Sequence, residues 1–249
     1  MFPITSSASF SALPLDPSLV SWIAADNLYG VNSTLPADGA NVEVPISDLS
    51  GSSNQLISNS GTAPVFRTNV ENSKPGFQYT AVTTRPISGP MNNMSTLEGS
   101  AFVVSRTTTT ALTQYVFRVF SLGADTTSIS LRYTAGANIT GFAPFTSTTG
   151  SNQNMLTNYV IGEPYLMEIH FGSGLGMMLA SNGSDSGLLG TASAYNISSP
   201  LFVLGAVSVN AGSLGLEGYM FETLYYKRRL SAAEVLIVRN YLNTKYAIY

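Results

Sequence analysis

Glu168 and His170 are the residues whose types and spacing come nearest to acid–base chemistry in this sequence. Two positions apart on a strand, their side chains share a face, so the carboxylate can orient the imidazole or exchange a proton with it. Glu163 lies five positions before Glu168 and would point to the opposite face of a continuous strand. Glycoside hydrolysis requires two carboxyl groups a few ångströms apart across the sugar bond, and this spacing does not supply them. A nucleophilic triad would also need His170, the only histidine in the chain, and no Gly-x-Ser-x-Gly turn accompanies it. An imidazole hydrogen-bonded on the polar face of a strand is the favoured reading. No residue is assigned a catalytic role.

Gly172-x-Gly174-x-Gly176 follows an apolar run and could suggest a phosphate loop. Such a loop opens a helix, whereas Met177–Ala180 reads on as strand, so a hairpin turn is expected. The chain has no cysteine, which excludes thiolate chemistry, disulfides and Cys-based metal sites. Thirteen tyrosines and twelve phenylalanines belong mostly to a core. Those in loop-like surroundings, Tyr29, Phe142, Phe145, Tyr159 and Tyr195, are the ligand-binding candidates, since an aromatic ring can stack on the apolar face of a sugar.

Only 10% of the 249 residues are charged, against about 25% in ordinary soluble domains, so solubility must come from Ser, Thr, Asn and Gly. Eleven basic and fourteen acidic residues with no basic run give no stripe to neutralise phosphates, and a nucleic-acid partner is not expected. No apolar run is long enough to span a bilayer. Residues 1–15 lack the positive and apolar regions of a secretory signal, and a complete product made without a leader is expected. Residues 1–18 read as an amino-terminal arm and 19–249 as one domain. In the arm, Phe2, Ile4, Phe10 and Leu13 are expected to dock either on a partner subunit or on the chain's own core.

Short apolar runs at Ala101–Ser105, Tyr115–Leu122, Ser128–Tyr133, Tyr165–Phe171, Gly176–Ala180, Leu201–Gly205 and Gly218–Tyr226 read as strands. The polar clusters between them, among them Thr107–Thr110, Asn138–Gly150 and Ser181–Gly187, read as turns. Many short strands imply an all-β sandwich or barrel. In Gly218–Tyr226 strict alternation puts Tyr219, Phe221, Thr223 and Tyr225 on one face and Met220, Glu222, Leu224 and Tyr226 on the other. Both faces are apolar enough to be covered. One helix is expected at the end. Ser231 and Glu234 form a capping box, and Leu230 with Val235 occupy the staple positions. Val235, Val238, Tyr241 and Leu242 give a buried stripe, and Lys245 complements the helix dipole. Arg228 is expected to pair with Glu222 or Glu234 at the strand-to-helix corner.

Glu222, then Tyr226-x-Arg228-x-Leu230-Ser231-x-x-Glu234, then Tyr241-Leu242-x-x-Lys245-Tyr246, resembles the closing segment of concanavalin A-like (laminin-G-like) jelly-roll domains. Leu19–Asp26 looks like the opening strand of that family, Ile46–Gly51 like its Asp-Leu-Ser-Gly turn, and Pro64–Phe66 and Pro75–Tyr79 like the two strands that follow. Pro45-Ile46 departs from the aromatic residue usual before that turn. The resemblance implies a two-sheet antiparallel jelly-roll sandwich with one short C-terminal helix, with Asp26 and Asp48 fixing turns. Enzymes of this fold carry Glu-x-Asp-x-Glu on one strand, a pattern absent here. Relatives often bind calcium through Asp, Asn and carbonyl oxygens. Asp38, Asp125 and Asp185 with Asn182 lie in suitable loops, but their spacing does not separate a site from an Asx turn. No cofactor or metal is expected, with calcium the one ion the loops could take.

These domains are widespread in secreted bacterial proteins and in phage virions. The expected function is therefore a non-enzymatic structural or binding protein on a phage virion surface, either a capsid decoration (cement) protein or a tail appendage. Its partners would be other virion proteins and its own copies, with a trimer favoured. The alternative is a carbohydrate-binding module that recognises a cell-surface glycan.

Overall fold

The computed structural model describes residues 13–30, 33–42, 45–52, 54–58, 62–80, 84, 86–91, 98–121, 124–143, 151–155, 159–172, 176–189, 199–207 and 214–249. Its strands pair, all antiparallel, into two sheets. In the first, β14 (Ser184–Leu189), β13 (Gly176–Ser181), β12 (Tyr165–Gly172) and β7 (Glu98–Thr107) lead to β16 (Gly218–Tyr226). The far edge of β16 is shared: its start pairs with β5 (Lys74–Tyr79), followed by β4 (Val65–Glu71), and its end pairs with β1 (Leu19–Ala24). The second sheet runs β11 (Ser151–Met155), β10 (Asn138–Ala143), β9 (Ala124–Thr134), β8 (Gln114–Ser121), β15 (Pro200–Leu204), β6 (Ile87–Pro90), β3 (Gln55–Ser58) and β2 (Ile46–Ser47). One helix, α1 (Ala232–Tyr246), closes the chain. This is the two-sheet jelly-roll sandwich that the resemblance implies.

Two cores follow from this arrangement. Phe77, Val103, Phe117, Leu131, Phe202 and Tyr225 are among the residues buried between the sheets. Trp22, Phe102, Leu166, Phe221, Leu224 and Tyr226 are buried on the outer face of the first sheet, under Val235, Val238, Tyr241, Leu242 and Tyr246 of α1. That cover explains why β7 and β16 carry apolar residues at nearly every position. Each large side chain so buried contributes roughly 1.5–3 kcal/mol.

Strict alternation fails in β16. Met220 pairs with Ser105 and Glu222 with Val104, so Phe221 is an extra residue in a β-bulge. Met220 and Tyr225 join the core between the sheets, while Phe221, Leu224 and Tyr226 join the core under the helix. The bulge therefore turns Glu222 as well as Phe221 towards α1. The strand begins at Gly218, whose φ is +151°, and a Cβ there would lie 2.0 Å from the Arg106 carbonyl oxygen. Only glycine allows β16 to enter this close to β7.

The capping box at Ser231 and Glu234 forms as expected, and Ala247 ends the helix in a left-handed conformation. Two clusters read as turns are partly strand: β10 opens the Asn138–Gly150 cluster, and in Ser181–Gly187 the turn is confined to Asn182 and Gly183, with β14 starting at Ser184. Their Asn, Gly and Ser content hides pairing that neighbouring strands impose.

At the strand-to-helix corner Arg228 donates to Glu234 (2.6 and 2.9 Å) and to Asp16 (2.7 Å). Of the two expected partners, Glu234 is the one it engages. Arg228, aided by the Ser231 backbone N–H, holds the Glu234 carboxyl at about 2, below its ordinary 4.5. A carboxyl depressed by folding stabilises the native state above pH 4.5, and that contribution is lost as pH falls towards 2. A Glu234→Gln variant should consequently lose stability less steeply than the parent between these pH values in urea titrations. Parallel profiles would show that this pair carries no linkage.

Candidate functional site

The sequence-predicted pair lies on β12, between β7 and β13 and beneath α1. Glu168 and His170 share the expected face, and both are buried. His170 Nε2 lies 3.0 Å from Glu168 Oε2, and Nδ1 lies 3.0 Å from Ser100 Oγ. Because Ser100 Oγ already accepts the Leu230 N–H at 3.0 Å, its own hydrogen is available to Nδ1. The bond to the carboxylate then carries the Nε2 proton.

A third group completes this cluster. Arg239 Nε donates to both oxygens of Glu168 (2.9 and 3.0 Å), and Nη2 donates to Asp185. Burial opposes the Arg239 charge, but the bonds and charges of Glu168 and Asp185 outweigh it and raise the guanidinium above its ordinary value. Sequence reasoning missed Arg239. The available signal was its position in the stripe, four residues after Val235 and next to Val238. Both Glu168 oxygens therefore face protein donors. Above the cluster opens a cleft of about 230 Å³ with His170 as its floor and Met178, Leu230 and Val235 as walls. Arg229, Arg239 and Asp185 border it.

A second buried carboxylate, Glu222 of β16, faces the C-terminal half of α1. It accepts from Trp22 Nε1 (2.6 Å), Tyr241 Oη (2.9 Å), Tyr246 Oη (2.9 Å) and Lys245 Nζ (2.7 Å). Lys245 also donates to Asp26 at 2.8 Å. These contacts add to what the sequence suggests. Lys245 is a buried ion-pair partner as well as a last-turn cation, and Asp26 holds that cation. Asp48 does fix a turn, accepting from the Trp22 and Ser50 backbone N–H groups (both 2.9 Å).

Among the aromatic candidates, Tyr29 is half-buried against the core between the sheets. Tyr159 is only 4% exposed and packs edge-on to Tyr133 and Tyr165, so it forms part of the core surroundings. Phe142 lies in β10, opposite Ser130 and Asn152. Phe145 and Tyr195 lie outside the described residues, as do Phe2, Ile4 and Phe10 of the arm. Leu13 is buried in the core beneath α1, which places the end of the arm on the chain itself.

Of the loop oxygens considered for calcium, Asp38 accepts from the Thr68 N–H (2.9 Å) and pairs with Arg67. Asp185 pairs with Arg239, and Asn182 Oδ1 accepts the Leu166 N–H at 2.9 Å. The Asp125 side chain lies outside what is described. Among the described residues, no cluster of three or more His, Asp or Glu side chains could hold a metal ion.

No protein-family model and no curated protein matches this chain. Solved structures do. The receptor-binding domain of botulinum neurotoxin type G superposes with a TM-score of 0.62 at 13% identity, over 90% of this chain and 51% of that one. The sialidase of Trypanosoma rangeli, in complex with sialic acid, gives 0.55 at 11% identity, over 97% of this chain and 35% of that one. The chain thus spans about half the length of the first and a third of the second. At these identities the likeness shows a shared fold.

Proposed function

We propose that this chain is a non-enzymatic recognition domain that binds a cell-surface glycan. The observation that carries the reading is the state of the two carboxylates nearest the cleft. Glu168 and Asp185 are held by one guanidinium, Arg239. Acid–base cleavage of a glycosidic bond needs one carboxyl to give a proton to the leaving oxygen and another to attack or activate water. Glu168 has both oxygens committed to Arg239 and His170, and Asp185 is tied to the same cation. Binding asks for less: a pre-formed surface with aromatic faces and a few polar groups. A glycan is the ligand class suggested by fold analogy with a receptor-binding domain and a sialidase that holds sialic acid. Among the described loop aromatics, Tyr29, half-buried against the core between the sheets, is the candidate for stacking. Glycan-array binding, run with calcium and again with EDTA, tests this. Saturable binding weakened by Tyr29→Ala is the expected result, and EDTA sensitivity would assign calcium a part. A folded protein that binds no glycan would sink the reading.

A second reading, a virion surface component of a phage, is favoured by one surface feature. At one end of the sandwich, backbone bonds from Gly162 to Thr107 (2.9 Å) and from Thr108 to Glu217 (2.8 Å) draw three loops together. Leu112, Val160, Ile161 and Leu214 are exposed on them. An apolar rim of this kind suits docking on a capsid or tail protein, or on further copies in a trimer. Val160→Asp with Leu112→Asp should release the protein from particles in co-sedimentation while sparing glycan binding. Unchanged co-sedimentation would remove the rim from the account.

A further inference from the structure

We propose that Asn182 is a modification site, a deamidation site that the fold keeps latent, and that its conversion to isoaspartate frees the β13–β14 hairpin from α1. Asn182-Gly183 is the one Asn-Gly step in the chain. It forms the loop between the paired Ser181 and Ser184, and its φ values of +47° and +77° have the signs a type I′ turn requires. An asparagine before glycine is also the amide side chain most open to its own backbone, because glycine puts no Cβ in the way. With the Gly183 proton passed to solvent base, its nitrogen attacks Asn182 Cγ, and ammonia leaves with a proton taken from water. The five-membered imide then takes up one water. Opening at Cγ gives aspartate. Opening at the backbone carbonyl carbon gives isoaspartate, in which the main chain runs through the side-chain carbon.

In the folded chain both reacting groups are held back. Asn182 Oδ1 accepts the Leu166 N–H (2.9 Å) and the Asn182 N–H donates to the Leu166 carbonyl (3.0 Å), which pins the side chain to β12. Tyr249 lies against Gly183: a Cβ there would meet Tyr249 Oη at 3.2 Å and its ring carbons at 3.3 Å. Asn243 fixes Tyr249 in place by accepting its N–H at 2.8 Å. The Gly183 carbonyl accepts from Arg239 Nη1 at 3.4 Å, beside the Arg239–Asp185 pair. Attack therefore waits for the hairpin to open locally. Isoaspartate then adds one backbone carbon to a two-residue loop. The Ser181–Ser184 register cannot be kept, and Asp185 and the Gly183 carbonyl leave Arg239. Because hydrolysis of the amide is not reversed, the release is one-way.

The test incubates the full chain in mildly alkaline buffer, folded or unfolded in urea, and maps it by peptide mass spectrometry with isoaspartyl methyltransferase labelling. In urea, Asn182 should convert ahead of the other asparagines. In the folded chain it should convert roughly tenfold or more slower, since only the open hairpin reacts. Tyr249→Ala should speed the folded reaction several-fold and leave the rate in urea unchanged. Hydrogen exchange on the isoaspartate form should be faster in β13 and β14 alone. Asn182→Asp, which keeps an acceptor for the Leu166 N–H, should exchange like the parent. Equal rates in the folded and unfolded chains, or a Tyr249→Ala protein that converts at the parent's rate, would overturn the latent site. Unchanged exchange in the isoaspartate form, or an Asn182→Asp protein that exchanges as fast as that form, would overturn the release of the hairpin by isoaspartate.

Discussion

Replacing Glu222 with Gln is expected to destabilise the fold by about 3–5 kcal/mol, the cost of removing one member of a buried ion pair. The carboxylate is 1% exposed and accepts from four side chains on β1 and α1. A glutamine keeps one acceptor oxygen and presents an NH₂ to donors. Lys245, 9% exposed, would be left with Asp26 alone. The Lys245→Met change should be milder, because Glu222 keeps three donors in Trp22, Tyr241 and Tyr246. Urea denaturation of both single variants and the double gives the coupling, which should make the double less destabilised than the two singles added together. A loss below about 1 kcal/mol for Glu222→Gln would fall in the ordinary range for substitutions and would show that the cluster does not anchor the helix.

The second large effect concerns Arg239→Ala, also about 3–5 kcal/mol. Glu168 would remain fully buried, left among the described residues with His170 as donor in place of a cation, and the β13–β14 hairpin would lose its tie to α1 through Asp185. Arg239→Lys should recover part of the loss, since an ammonium keeps the charge but cannot match the fork. Glu168→Gln adds a decisive comparison. Catalytic groups are often held at a cost to stability, and removing them then stabilises the protein. A structural carboxylate behaves in the opposite way. Destabilisation by Glu168→Gln is the expected result, and a raised melting temperature would return Glu168 to the list of catalytic candidates.

The helix and its cap were legible because their signals are local: Ser231 and Glu234 are three apart, and the stripe repeats within four turns. Glu168 and His170 were legible for the same reason, being two apart on one strand. Glu222 was not. Its role depends on β1, β16 and α1 meeting, and on a bulge that breaks the alternation on which a sequence reading relies. Lys245 shows the same limit, since a cation in a last turn looks like a dipole partner until Glu222 and Asp26 are brought to it. The segment that resembles concanavalin A-like domains gains a physical explanation here. Tyr241, Lys245 and Tyr246 are donors to Glu222, while Arg228 and Glu234 pair at the corner. Among the loop aromatics, Tyr159 shows that loop-like sequence surroundings do not ensure exposure.

The proposed role is recognition of a glycan without its cleavage. Its most direct test is to incubate the protein, at stoichiometric concentration, with any glycan it retains on an array and to follow the sugar by mass spectrometry. A bound glycan of unchanged mass after prolonged incubation is expected. Release of shorter products, abolished by Glu168→Gln in a protein that remains folded, would contradict it.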